Sequence, residues 1–125
     1  MKKVIFTKDA PVPVGPYSQA VEVNGVLYVA GQVAIDPDTG KFSGGSIQEQ
    51  ADRVLKNIAT ILAAAGYSFG DVVKSTCMLA DMADFKAMNE VYSRYYSVDP
   101  PARVAFSVRE LPLGALIEIE TVAMK

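Results

Sequence analysis

The stretch Glu22-Val23-Asn24-Gly25-Val26-Leu27-Tyr28-Val29 decides how the chain begins to fold. Asn24-Gly25 supplies the pair of positive-φ residues that a type I′ turn requires, and strand-forming residues flank it on both sides. The segment predicts a β-hairpin with strands at about 18–23 and 26–32. Asp36-Pro37-Asp38-Thr39-Gly40 and Gly44-Gly45 are turn signals that close this unit.

Beyond the hairpin the period changes from two to three and four. Ile47, Ala51, Val54, Leu55, Ile58, Ile61, Leu62 and Ala65 form one apolar stripe, which predicts an amphipathic helix. Ser46 and Glu49 have capping-box spacing, and Gly66 suits the C-terminal stop. Glu49/Arg53 and Asp52/Lys56 are spaced as i,i+4 ion pairs on the wet face. A strand near 71–80 follows. A second helix starts at about Asp84, with Phe85, Met88, Tyr92, Tyr95 and Tyr96 on its inner side, and Pro100-Pro101 ends that region. Strands at about 103–109 and 115–124 flank the turn Leu111-Pro112-Leu113-Gly114. The order is ββαβαββ, an α/β (α+β) arrangement of a mixed sheet with two helices on one face, in a single domain over 1–125. The other face then lies uncovered. Ala105 and Val122, read as outward positions of the last strands, are not polar, so a symmetric oligomer that covers this face is expected.

Composition narrows the chemistry. The chain has 125 residues, no His, no Trp and one Cys. Imidazole-dependent catalysis and His-containing zinc sites are excluded, and one thiol forms neither an internal disulfide nor a four-Cys zinc site. Twelve basic residues against 14 acidic ones give a net charge of −2, the wrong balance for a nucleic-acid footprint. No nucleic-acid or membrane partner is expected. No apolar run approaches the roughly 20 residues that span a bilayer, and Val4-Ile5-Phe6 is too short for a signal-peptide core. The expected location is cytoplasmic.

Candidate residues come from the last strands and from two glycine-bearing turns. Alternation in Ala102-Arg103-Val104-Ala105-Phe106-Ser107 sets Arg103 beside small residues at a strand start. Its planar fork suits a carboxylate ligand, or else a local Asp or Glu pairs with it. Glu118 and Glu120 share one face of Ile117-Glu118-Ile119-Glu120. They form either a solvated surface or, if one is desolvated in a cleft, a carboxylate suited to proton transfer. Tyr17 follows Gly15-Pro16 in a constrained turn. Cys77 reads as a small buried apolar residue. No phosphate-binding glycine motif is present.

Together these segments carry a resemblance. Gly15-Pro16-Tyr17-Ser18-Gln19-Ala20, Val29-Ala30-Gly31-Gln32, Ala64-Ala65-Gly66, Asp71-Val72-Val73-Lys74, Asp84-Phe85 with Asn89, Pro101-Ala102-Arg103 and Ile117-Glu118-Ile119-Glu120 occur in order along essentially the whole chain. The chain resembles the Rid family of reactive intermediate deaminases, also called the YjgF family. That resemblance implies a chorismate-mutase-like fold of the bacillary type, a homotrimer with clefts between subunits, and hydrolysis of 2-imino acids to 2-keto acids and ammonia without a cofactor or metal. It implies that Arg103 binds the substrate carboxylate, that Glu118 is associated with the catalytic water, and that Tyr17 lies in the cleft. Gly31 would line the pocket with its backbone, and Asn89 would lie near the site. Family members often carry Ser or Thr at the position of Ala30 and Cys at that of Ala105, two pocket positions that here lack a donor. A lost hydrogen bond of this kind is worth about 0.5–1.5 kcal/mol. Two other functions use the same residues or family: a non-catalytic trimer that binds a small carboxylate as a sensor, and RNA cleavage or translation inhibition. Chorismate mutase chemistry shares only the fold.

Overall fold

The computed structural model describes residues 1–125. Asn24 and Gly25 have φ of 50° and 76°, and they join strands Ala20–Val23 (β2) and Val26–Gln32 (β3) in the hairpin predicted from sequence. A strand of three residues, Lys3–Ile5 (β1), precedes it and pairs with β2. The sequence reading did not include β1, because three residues at a sheet edge show no period. The remaining elements follow the expected order: Ile47–Ala64 (α1), Val72–Leu79 (β4), Phe85–Tyr95 (α2), Ala102–Ser107 (β5) and Ile117–Met124 (β6).

The six strands form one sheet in the order β1-β2-β3-β6-β4-β5. Only β4 and β5 run parallel, as the α2 crossover between them demands. Both helices cover one face. Buried Leu27, Val54, Leu55, Ile58, Ile61, Leu62, Leu79, Met88, Ile117 and Ile119 form the core between that face and the helices.

Helix α1 starts as its sequence dictates. Glu49 N–H donates to Ser46 Oγ, and Ser46 N–H donates to Glu49 Oε1, each at 3.1 Å. This use of Glu49 removes it from the expected pairing with Arg53; the only salt bridge in the chain is Lys56–Asp52 at 2.9 Å. Two buried amides interrupt the stripe for a structural reason. Gln50 Oε1 accepts from Leu116 N–H at 2.9 Å, which fixes the entry into β6, and Asn57 Nδ2 donates to Ile35 O at 2.9 Å.

Strand register settles which residues share a face. Ser75, buried against the helices, pairs with Arg103 and with Thr121, while Cys77 pairs with Ala105 and Ile119. Arg103 and Ala105 therefore face the helix layer, and Ala105 is not an outward residue as the alternation alone suggested. The outward residues of β5 are Val104 and Phe106, which are 44% and 41% exposed. Tyr28, Met78, Glu118, Glu120, Val122 and Met124 share that open face, so it carries more apolar surface than the sequence reading assigned to it.

Candidate active site

Arg103 and Glu118 belong to two separate clefts. On the helix side of the sheet edge, the Arg103 guanidinium is half-buried against α2. Its Nη1 donates to Asn89 Oδ1 at 2.7 Å, and its central carbon lies 4.8 Å from the ring centroid of Tyr92 and 5.5 Å from that of Phe85. Asn89, Tyr92, Ser93, Tyr96, Pro100, Pro101 and Arg103 line a cavity of about 400 Å³ there. No Asp or Glu pairs with Arg103, which disposes of the structural ion pair. Neutral groups hold the guanidinium in place and leave donors free for an anion.

Behind it lie the buried hydroxyls of Ser75, Tyr92, Tyr96 and Thr121. None of them meets full hydrogen-bond geometry, although Ser75 is close enough to both tyrosines to favour their ionised forms. Burial outweighs that effect and pushes both phenols above the ordinary range. Cys77, next in the same strand, is held as a thiol: burial pushes it up to about 11 against the opposing pull of Arg103.

The second cleft opens on the uncovered face. Between the pairs Val29↔Thr121 and Gln32↔Ile119, β3 carries two residues, Ala30 and Gly31, opposite one in β6. This bulge lets the Glu118 side chain lie directly over the backbone of Gly31. A Cβ on Gly31 would collide with Glu118 Oε2 and stand 3.0 Å from its Cδ, so the approach requires glycine. Burial raises the Glu118 carboxyl above the ordinary carboxylate range, and the neighbouring Glu120 charge adds to the effect.

Tyr17, Ala30, Gly31 and Glu118 line the same cavity of about 830 Å³, together with Val14, Val33, Ile35, Phe42 and Leu113. Tyr17 is half-exposed there, with its hydroxyl oxygen accepting from Val14 N–H at 3.4 Å. The loop that presents it is anchored by Gln19, a buried amide. Gln19 exchanges hydrogen bonds with Thr7 N–H (2.7 Å) and Thr7 O (2.9 Å) and donates to Pro11 O (2.9 Å).

The structure thus sorts the sequence candidates into two groups. Tyr17, Ala30, Gly31 and Glu118 meet on one face; Arg103 and Asn89 meet on the other, with Ala105 two residues along the same strand face as Arg103. The alternation in β5 and β6 shows each strand's two faces but not which face of one matches which of the other. The supports Phe85, Tyr92 and Gln19 were missed as site residues: the aromatic side chains read as core, and a buried glutamine leaves no local pattern. The chain holds no group of three His, Cys, Asp or Glu side chains placed to bind a metal ion, and no helix is long and apolar enough to cross a membrane.

Comparison with known proteins agrees with the fold. Residues 7–125 match the family model described as Endoribonuclease L-PSP. A RutC family protein of Pyrococcus horikoshii is 54% identical, over 100% of this chain and 99% of its own. The human 2-iminobutanoate/2-iminopropanoate deaminase is 46% identical, over 100% of this chain and 91% of its own. Among solved structures, the Rid family protein YyfA of Yersinia pestis superposes with a TM-score of 0.97 at 42% identity, covering 100% of both chains. TdcF of E. coli with bound serine superposes with a TM-score of 0.94 at 36% identity, covering 98% of each.

Proposed function

The chain belongs to the Endoribonuclease L-PSP family, the group that contains the Rid proteins, and we propose that it is an imine deaminase converting 2-imino acids, such as 2-iminopropanoate and 2-iminobutanoate, to 2-keto acids and ammonia. The observation that carries this reading is Arg103: a half-buried guanidinium held by Asn89, Phe85 and Tyr92 and paired with no carboxylate of its own chain. Such a group suits a small carboxylate bound in a bidentate manner. Relatives named as 2-imino acid deaminases support the reaction class.

Glu118 cannot reach a substrate held at Arg103 of the same protomer, since the sheet lies between them. We assign the working site to two protomers of a homotrimer. The open face, with Tyr28, Val104, Phe106 and Met124 about half-exposed, is the apolar surface that a second copy covers. Arg103 and Asn89 of one protomer would then meet Glu118, Gly31 and Tyr17 of its neighbour.

The chemistry needs no cofactor. Arg103 fixes the carboxylate and so sets the C=N carbon in place. Glu118, ionised, takes a proton from a water as its oxygen bonds to that carbon, and the former C=N electron pair passes to nitrogen, which is protonated. The resulting carbinolamine breaks its C–N bond. The hydroxyl proton passes by way of Glu118 to the departing nitrogen as the C=O bond forms, so the nitrogen leaves as ammonia. One imino acid and one water give one keto acid and one ammonia. Ala105, on the strand face of Arg103, and Ala30, in the Glu118 cleft, each leave the site without a side-chain donor.

The test is release of keto acid from imines generated in situ, by wild type and by Arg103→Ala. The proposal expects acceleration that the variant loses; an unimpaired variant overturns it. A carboxylate-binding sensor would bind the keto acid without accelerating hydrolysis. The family description favours RNA cleavage as a second reading. A chain with no His and a net charge of −2 lacks both the usual acid–base pair for phosphodiester cleavage and a basic footprint. Ribonuclease activity that copurifies with the protein and disappears in Arg103→Ala would restore that reading.

A further inference from the structure

We propose that the cavity beside Glu118 is a subsite for the substrate's side chain, and that the preferred substrates are 2-imino acids with a bulky apolar substituent, branched aliphatic or aromatic. This rests on the imine-hydrolysis reading of the same site. The central carbon of a 2-imino acid carries three groups. The carboxylate goes to Arg103 and the imine nitrogen stays beside the attacking water. The third substituent is assigned to the wall of the Glu118 cleft, a cavity of about 830 Å³ against about 400 Å³ beside Arg103.

That wall is apolar. Val14, Val33, Ile35, Phe42 and Leu113 form it, and the only charged lining groups are Glu118 and Lys41. Lys41 can lay its stem along such a wall with its ammonium in water. Ala30 adds no hydroxyl. A volume of about 830 Å³ falls within the roughly 300–1,000 Å³ of pockets that enclose drug-sized ligands, and a methyl group leaves most of it unfilled. Apolar contact is gained only by a larger substituent.

Leu113 is the residue that most sharply marks the subsite. Its backbone lies in the left-handed region (φ 61°, ψ 19°), which a leucine adopts against steric resistance. Its side chain is 63% exposed, so the core gains nothing from it. A leucine kept under those conditions at the edge of the cavity serves contact with what enters. The rival occupant is an apolar side chain of the neighbouring protomer, which would plug the space and leave substituent size without effect.

The experiment compares kcat/KM for imines generated by an amino-acid oxidase from alanine, leucine and phenylalanine, in wild type, Leu113→Gly and Phe42→Ala. Glycine suits the left-handed backbone, so Leu113→Gly keeps the wild-type thermal midpoint or exceeds it. Leucine- and phenylalanine-derived imines are expected to exceed the alanine-derived imine by roughly tenfold or more, the discrimination that added methylenes achieve in an apolar pocket. Both variants should lower that ratio severalfold. A wild-type ratio near one, or a ratio that neither variant moves, overturns the subsite and leaves imine hydrolysis standing. Failure to hydrolyse any of the imines overturns both.

Discussion

Arg103 and Glu118 lie on opposite faces of one sheet: Arg103 pairs with Ser75, which points into the helix layer, and Glu118 pairs with Met78, which points to the open face. Each is embedded in its own cleft, and each lacks a counter-ion within the protomer. A site that uses both groups requires two copies of the chain.

Gly31→Ala should disable Glu118 without unfolding the protein. The new methyl would occupy the space of the Glu118 carboxylate, within 3.3 Å of its Cγ and closer still to Oε2. Gly31 has no positive φ, so alanine brings no backbone strain there. Displacing a catalytic group by about 1 Å costs on the order of 10²-fold in rate. Steady-state kinetics should show that loss in kcat, with near-native circular dichroism.

Asn89 and Tyr92 contact the Arg103 guanidinium, and in the proposed site they act by positioning it. A hydrogen bond to a charged group is worth about 1.5–3 kcal/mol, so Asn89→Ala should raise KM by roughly ten- to hundredfold and alter kcat less. Tyr92→Leu removes the ring beneath the guanidinium and should move KM in the same direction, while Tyr92→Phe keeps the ring and restores most of the affinity. Equal losses in kcat and kcat/KM would mean that these residues act on the chemical step instead.

The kcat–pH profile reports groups in the substrate complex. Glu118 must be ionised to accept a proton, and burial followed by the Glu120 charge raises its carboxyl above the ordinary value of 4.5. Turnover should therefore be low below that range and rise with pH through a limb that lies above 4.5. Glu118→Gln should abolish the limb along with most of the rate. A limb at or below 4.5 would contradict the assignment.

Cys77 should behave as a buried thiol. Its ionisation moves from 9.0 to about 11 through burial, so it stays protonated in the fold near pH 8 and should resist thiol reagents until denaturant is added. The sign for stability follows. The unfolded chain releases this proton at lower pH than the folded one, so stability is complete below about 8.5 and falls as pH rises towards 11. Thermal midpoints should fall across that range in wild type and fall less in Cys77→Ala between about pH 8.5 and 10, below the range where the buried phenols of Tyr92 and Tyr96 add their own decline.

Much of this was legible in the residues. Asn24-Gly25 specified the hairpin, Ser46 and Glu49 the start of α1, and the change of period the order of elements. The β1 edge was not, since three residues carry no pattern. The facing of β5 was misread because Val104 and Phe106 are apolar on the outer side, where a lone protomer would be expected to show polar groups. That inversion placed Ala105 outward in the reading and hid the fact that Arg103 and Glu118 are separated by their own sheet. The close approach of Glu118 to Gly31 depends on a bulge between β3 and β6, a tertiary pairing that no local signal encodes.

In the proposed trimer Arg103 of one protomer works with Glu118 of another, so two variants that are each inactive should complement one another when mixed. Arg103→Ala and Glu118→Gln proteins, each inactive alone, should regain activity when denatured together and refolded as mixed trimers. One of three interfaces in every mixed trimer then pairs an intact Arg103 with an intact Glu118, and random assembly in equal amounts gives roughly a quarter of wild-type turnover. Activity that stays at the level of the separate variants, with mixed trimers demonstrated by mass, would contradict the account.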